Sequence, residues 1–299
     1  MSTTTGKGKA IFRVVSGNFL EMFDFMVYGF YATAIAKTFF PTDSAFASLM
    51  LSLATFGAGF LMRPLGAIFL GAYIDRHGRK KGLVITLALM AAGTVLIACV
   101  PGYATLGVAA PLIVLFGRLL QGFSAGVELG GVSVYLAEIA TPGRKGFFVS
   151  WQSASQQAAV VFAGLLGVGL NHWLSPEEMG DWGWRVPFVF GLLVLPIGIY
   201  IRRNLAETFH GHGEKTSTGD LVREVGGKHR RALVLGLLIL SGSTITQYFL
   251  NYMTTFALTE LKLPTSISML STLVAGAAMA VCAVAGGMLC DRFGRRIIL

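Results

Sequence analysis

Residues 71–80, Gly-Ala-Tyr-Ile-Asp-Arg-His-Gly-Arg-Lys, return as residues 287–296, Gly-Met-Leu-Cys-Asp-Arg-Phe-Gly-Arg-Arg, and each copy closes a long apolar run. A repeat at a distance of about 216 residues is far longer than a solenoid unit. Both copies lie among segments long enough to cross a bilayer, which is the pattern of a duplicated helical transporter. Composition agrees: 54% of residues are hydrophobic and 13% charged, and mean hydropathy is +0.67. A soluble domain carries roughly a quarter charged residues, so water is not the solvent for most of this surface.

Apolar runs of about 20 residues predict eight spans, at 14–38, 46–72, 82–100, 107–136, 147–171, 184–201, 231–257 and 266–290. The fold class expected is an all-α membrane bundle. Met1 to Lys9 is polar and basic, but Glu21 and Asp24 in the first run argue for a retained helix over a cleaved signal. Of 24 Lys and Arg residues, 19 fall in one alternating set of connections and three, Lys37, Arg185 and Lys262, in the other. Lys and Arg are retained on the cytoplasmic side, so both chain ends are expected inside. The net charge of +9 is then a topology signal, scattered over five short connections, and nucleic acid is not an expected partner. The bilayer is.

Residues 202–230 form the one long polar connection, separating an N-terminal six-helix part, 1–201, from 231–299. The second repeat copy follows the eighth span as the first follows the second span. Symmetry therefore predicts twelve spans in the whole carrier, eight of them here. His210 and His212 in the connection have no further ligands nearby and read as a solvated loop, and no metal or cofactor is expected. Cys99, Cys282 and Cys290 lack CxxC spacing and read as small helix residues.

Asp75 lies where the second span meets the cytoplasm. Gly71 and Gly78 permit close backbone approach, and Arg76, Arg79 and Lys80 can reach the carboxylate or helix-end carbonyls. Asp291, Arg292, Gly294 and Arg295 repeat that set. A basic turn obeying the positive-inside rule would suffice for one copy; two matched copies point to a gating latch.

The motif Gly71-x-x-x-Asp75-Arg76-x-Gly78-Arg79-Lys80, its second copy, and Arg118-Leu-Leu-Gln121-Gly122 resemble the signature set of the major facilitator superfamily. Four segments resemble its metabolite–proton symporter branch, and within it the citrate and tricarballylate carriers: Gly17 to Asp24, Leu61 to Ala67, Gly122 to Gly131 and Ser150 to Gln157. The resemblance implies a monomeric, proton-coupled carrier of small organic anions in a bacterial-type inner membrane, moving a tricarboxylate by alternating access. A dicarboxylate, a shikimate-like acid or a compatible solute as cargo, or a sensor that binds without transport, stay open. No nucleophile–base pair suggests an enzyme.

Independently of the family, an ionised side chain at bilayer depth costs at least ~2.5–3.5 kcal/mol on insertion scales, so each is a functional candidate. Five qualify: Glu21, Asp24, Arg63, Arg118 and Glu128. On the first span Asn18, Glu21, Asp24, Phe25 and Tyr28 share about a third of the helix circumference, and Arg118, Gln121 and Glu128 share a comparable arc on the fourth. Both faces are expected to line a wet interior. Three acids against two arginines leave one excess negative charge, which one proton would neutralise. Engagement and release of an arginine alters how readily a buried acid holds a proton, so Asp24, Glu128 and Glu21 are candidate coupling acids. Fixed salt bridges between helices are the competing reading, and Glu21 and Arg63, nearest the cytoplasmic ends, fit it best.

Arg118 is the leading anion binder because a guanidinium donates two parallel hydrogen bonds to a carboxylate. Asn18, Tyr28, Gln121, Gln152, Gln156, Tyr248 and Asn251 can orient an oxygen-rich substrate without adding charge, or can serve as interhelical hydrogen bonds worth on the order of 1 kcal/mol. Gly122, Gly126 and Gly130, every four residues, read as a packing ridge.

Overall fold

The computed structural model describes residues 4–203, Gly227, 230–259, Leu261 and 265–298, and every regular element among them is helical. In chain order these are α1 Thr4–Phe30, α2 Ala32–Phe39, α3 Ala45–His77, α4 Arg79–Cys99, α5 Tyr103–Leu106, α6 Ala109–Ile139, α7 Lys145–Trp173 and α8 Pro176–Asp181. A 3-10 turn, Gly183–Arg185, then leads into α9 Val186–Arg203, α10 Arg230–Thr259, α11 Thr265–Phe293 and α12 Arg295–Ile298. Helix covers each of the eight expected spans. Among the described residues five helices, α3, α4, α6, α7 and α11, are long and apolar enough to cross a membrane singly, and α1 with α2 makes a sixth. His210 and His212 lie outside the described residues.

The first span departs from the expected straight helix. It breaks at Tyr31, and α1 and α2 meet at 68°. Gly29 stands two residues before the break, where the absent side chain lowers the cost of leaving helical geometry. The bend turns Ala32, Ile35, Ala36 and Phe39 inward as one buried face. Phe39 then meets Trp184 edge-on at 5.7 Å. That corner is closed by Arg185, which donates to the carbonyls of Ala98 and Val100 at 3.1 and 3.2 Å and so caps the end of α4.

Residues 1–210 and 276–299 make one compact unit. Its main core joins Phe23, Val27 and Tyr28 of α1 to Ile97 of α4, Val114 of α6, Ala159 and Ala163 of α7 and Phe188 of α9. Large apolar side chains also point outward, among them Leu61, Phe69, Leu112 and Phe116, each more than half exposed. Residues 211–275 form the other unit. There α10 carries Leu235, Leu237, Leu238, Ile239 and Leu240, all at least half exposed. Surfaces of this kind are solvated by lipid.

Backbone contact between α3 and α6 sets the centre of the first unit. A Cβ on Gly122 would collide with the Gly59 carbonyl, one on Gly126 with the Arg63 carbonyl, and one on Gly66 with the Phe123 carbonyl. With lipid on the outside there is little hydrophobic drive between helices, and such close approach supplies the dispersion contact instead. The ridge ends sooner than its spacing predicts: a Cβ on Gly130 would meet open space.

The repeated motif turns the chain the same way twice. Gly78 has φ +95° and Gly294 φ +86°, and their amides donate to Ile74 O at 2.8 Å and Cys290 O at 3.1 Å. Both glycines thus end one helix and begin the next in a backbone region closed to L side chains. Gly71 differs from expectation, since a Cβ there meets nothing within 4 Å.

Gly122→Ala is expected to destabilise the protein by about 1–3 kcal/mol, because the new methyl meets backbone that cannot swing aside. Gly130→Ala should be neutral or stabilising by up to ~1 kcal/mol through helix propensity. Denaturation midpoints in one detergent compare the two; a Gly122 variant as stable as the Gly130 variant would contradict the packing. By the same measurement Gly78→Ala should lose about 1–3 kcal/mol to backbone strain.

Candidate functional site

The polar faces of α1 and α6 meet. Arg118 Nη1 donates to Gln121 Oε1 at 2.5 Å, and Gln121 Nε2 donates to Asp24 Oδ2 at 2.5 Å. The Thr94 hydroxyl, from α4, donates to Asp24 Oδ1 at 2.9 Å and accepts from Gln121 Nε2 at 3.0 Å. Arg118 Nη1 lies 3.7 Å from Asp24 Oδ2, so the ion pair is carried largely through the glutamine. Three helices are tied at one point.

Aromatic faces enclose the guanidinium. Arg118 Cζ stands 4.3 Å from the Tyr28 ring centre, 4.6 Å from Phe56 and 4.8 Å from Phe25. Rings recover part of the lost hydration through cation–π attraction while leaving the in-plane N–H groups available. Arg118 has no exposed surface, and among the described residues its Nε and Nη2 have no hydrogen-bond partner. A buried guanidinium with idle donors is costly unless a ligand visits it.

The other predicted residues take up distinct places. Glu128 accepts from the Thr86 hydroxyl at 2.9 Å, two turns along α4 from Thr94. Glu21 is buried on α1. Asn18 Nδ2 donates to Gln152 O and Ser155 Oγ, both at 2.8 Å, and its Oδ1 accepts from Gln156 Nε2 at 3.5 Å, so it joins α1 to α7. The Tyr28 hydroxyl donates to Ser52 O at 3.3 Å. Asn18, Tyr28, Arg118 and Gln121 are at most 1% exposed, and Glu21, Asp24 and Glu128 are below 10%. The faces expected to line a wet interior are therefore pressed against each other in this state. Desolvation favours pairing them, since each polar group here finds another helix in place of water.

At the end of α11 the second motif copy makes a built contact. Asp291 accepts from the backbone amides of Gly146 at 2.6 Å and Phe147 at 2.8 Å. These are first-turn amides of α7, left without intrahelical partners, at the positive end of the helix dipole. Glycine on both sides makes room: a Cβ on Gly287 would collide with Gly146 O and the Ser150 side chain. Arg76 and Arg292 are exposed, the latter 5.4 Å from the Phe293 ring centre. The side chains of Asp75, Arg79, Tyr248, Asn251 and Arg295 lie outside the described residues.

Residues 14–299 match the sequence profile described as Major Facilitator Superfamily. The chain belongs to the major facilitator superfamily. It is 53% identical over 301 residues to the citrate-proton symporter of Salmonella typhi, covering all of this chain and 69% of that protein. It is 52% identical over 305 residues to the citrate-proton symporter of Klebsiella pneumoniae, covering all of this chain and 68% of that protein. The proton:xylose symporter XylE bound to 6-bromo-6-deoxy-D-glucose shares the fold, with TM-score 0.77 at 18% identity over 99% of this chain and 71% of that structure. As a superfamily member the chain is a multi-pass inner-membrane transport protein.

Sequence reasoning brought Asp24, Arg118 and Gln121 forward, and the structure joins them. It passed over Thr94, the hinge of their network, and the rings of Phe25 and Phe56. A hydroxyl within an apolar helix is a weak signal because it can satisfy itself on the preceding turn, and Thr94 does also reach Met90 O at 3.0 Å. Helical spacing puts Phe25 on the polar face of α1 and gives it no role there.

Asp291→Ala is expected to raise amide hydrogen exchange over residues 146–150 by tenfold or more, because two first-turn N–H groups lose their acceptor. Exchange elsewhere in α7 should change less than twofold. Uniform loss of protection along α7 would mean that Asp291 supports the fold at large and not the helix start.

Proposed function

We propose that this chain forms the binding and coupling part of a proton-driven importer of a tricarboxylate, citrate foremost, working by alternating access with its N-terminus in the cytoplasm. The observation that carries the reading is the buried Arg118 guanidinium with two idle donors, in a superfamily member half identical to two citrate-proton symporters. A planar, permanently charged fork with free N–H groups is matched by a carboxylate.

Coupling follows from competition for Arg118. An ionised Asp24 draws on Nη1 directly and through Gln121. A proton on Asp24 removes that negative charge, and the arginine turns its donors to a substrate carboxylate. Proton and anion then bind favourably together, and an anion alone meets a guanidinium already held. Protons are the coupling ion and no other cofactor takes part; Glu128, held by Thr86, is the second acid in line and Glu21 the third. Tyr28 and Gln121 shape the floor under the substrate, while Asn18, Gln152 and Gln156 hold α1 to α7 beside it. Both motif copies act at the cytoplasmic edge, Gly71, Asp75, Arg76, Gly78 and Arg79 in one and Asp291, Arg292, Gly294 and Arg295 in the other. The Asp291 contact with α7 closes that edge and must part when substrate leaves inward.

In the complete carrier Arg118→Lys should weaken citrate binding at least tenfold while the protein stays folded in detergent, since a point charge replaces the fork. Unchanged affinity would take Arg118 out of the site. Asp24→Asn, a permanently neutral mimic, should keep citrate exchange across proteoliposomes but abolish accumulation driven by a pH gradient. Retained gradient-driven accumulation would pass the coupling role to Glu128.

A further inference from the structure

We infer that Arg63 is a second anion-binding residue of the same site, so that the carrier grips two carboxylates of one substrate, one on Arg118 and one on Arg63. This rests on the proposed role of Arg118 and adds a second arm to it. By sequence Arg63 reads as a structural cation near a span end; its surroundings say otherwise.

Arg63 lies on α3 with Cζ 4.8 Å from the Phe25 ring centre and 4.5 Å from that of Phe60. Arg118 stands at the same 4.8 Å from Phe25. The two guanidinium carbons are thus less than twice that distance apart, with one ring common to both. Phe25, Phe56 and Phe60 pack mutually edge to face, with centroids 5.3–5.7 Å apart, so both cations stand on one continuous aromatic support. Stacking on a ring face leaves the in-plane N–H groups of each guanidinium directed away from the ring.

Arg63 makes no ion pair among the described residues, and its Nε is buried without a partner. A structural cation in a membrane protein is held by an acid or by carbonyls; Arg63 is held by the faces of Phe25 and Phe60, and its Nε finds no acceptor among the described residues. The backbone beneath it is fixed as well, because the Arg63 carbonyl lies against Gly126 of α6. Two neighbouring guanidinium groups repel, and the cluster of Arg63, Arg118 and Asp24 holds only one acid between them. A substrate with two carboxylates on a short carbon chain relieves that repulsion and fills both sets of donors. A monocarboxylate can do only half of this. The substrate class that the pair selects is therefore the polycarboxylates, and Arg63 is a specificity-determining residue.

A ligand–protein cycle on the purified complete carrier tests this. Affinities for tricarballylate and for its dimethyl ester, which retains one carboxylate, are measured by competition in the parent, Arg63→Gln and Arg63→Lys, with thermal unfolding as the check on folding. In the parent, esterification should weaken binding at least tenfold more than it does in Arg63→Gln, and Arg63→Lys should fall between them with at least a threefold reduction of the parent's penalty. An esterification penalty unchanged by the substitutions overturns the inference, and Arg63→Lys decides alone if Arg63→Gln does not fold. Loss of binding in Arg118→Lys together with an unchanged penalty in the Arg63 variants removes only the second arm. Full binding of both ligands by Arg118→Lys removes the site itself.

Discussion

Everything at the centre of this molecule is arranged around one difficulty, a permanently charged guanidinium with no exposed surface in the middle of a membrane protein. Taking an arginine out of water is unfavourable by several kcal/mol even after relaxation. The chain meets that cost with one acid, one amide, one hydroxyl and three aromatic faces, drawn from α1, α3, α4 and α6. Asp24 supplies countercharge, Gln121 relays it, and Thr94 fixes the acid's second oxygen. Because the compensation comes from four helices, their relative placement is constrained wherever the arginine is buried. The compensation is also incomplete, since among the described residues Nε and Nη2 of the arginine find no partner.

Such a network needs a rigid frame. Gly59, Gly66, Gly122 and Gly126 bring the backbones of α3 and α6 into contact, leaving the two helices no side-chain cushion through which to shift. The frame has its relief at Pro64, which follows Arg63 inside α3 and cannot donate to the Phe60 carbonyl. A tight crossing on one side of Arg63 and an interrupted ladder beside it allow the arginine to sit on its rings without straining either helix.

Much of this was legible in the sequence because membrane folding obeys few rules. Span lengths follow from bilayer thickness, and the helices fall where the apolar runs do. The twin motif announced twin turns, and Gly78 and Gly294 share a backbone conformation open only to glycine. Asp24, Gln121 and Arg118 were separable as candidates because charge and amide groups are rare in such helices. What escaped was whatever depends on a third helix. The break at Tyr31 answers to the packing of Ile35 and Phe39, which no window of α1 contains. Thr94 is an ordinary helix residue until Asp24 is opposite it. Arg63 stands near a span end by position, and its direction, onto Phe25 and Phe60, cannot be read from that position. The expectation of a wet interior failed because a helical wheel shows which residues share a face but not whether that face meets water or another helix.

The carboxylate of Asp291 on the first amides of α7 joins an element from the second motif copy to one from the first half of the chain. Hydrogen bonds to a charged group contribute about 1.5–3 kcal/mol each, so even one of them biases an open–closed equilibrium by roughly ten- to a hundredfold. Under the gating role proposed for the motif, that bias is set by a helix start and one carboxylate. It is then present whether or not cargo occupies the Arg118 network, and the cost of opening is the same for an empty carrier as for a loaded one.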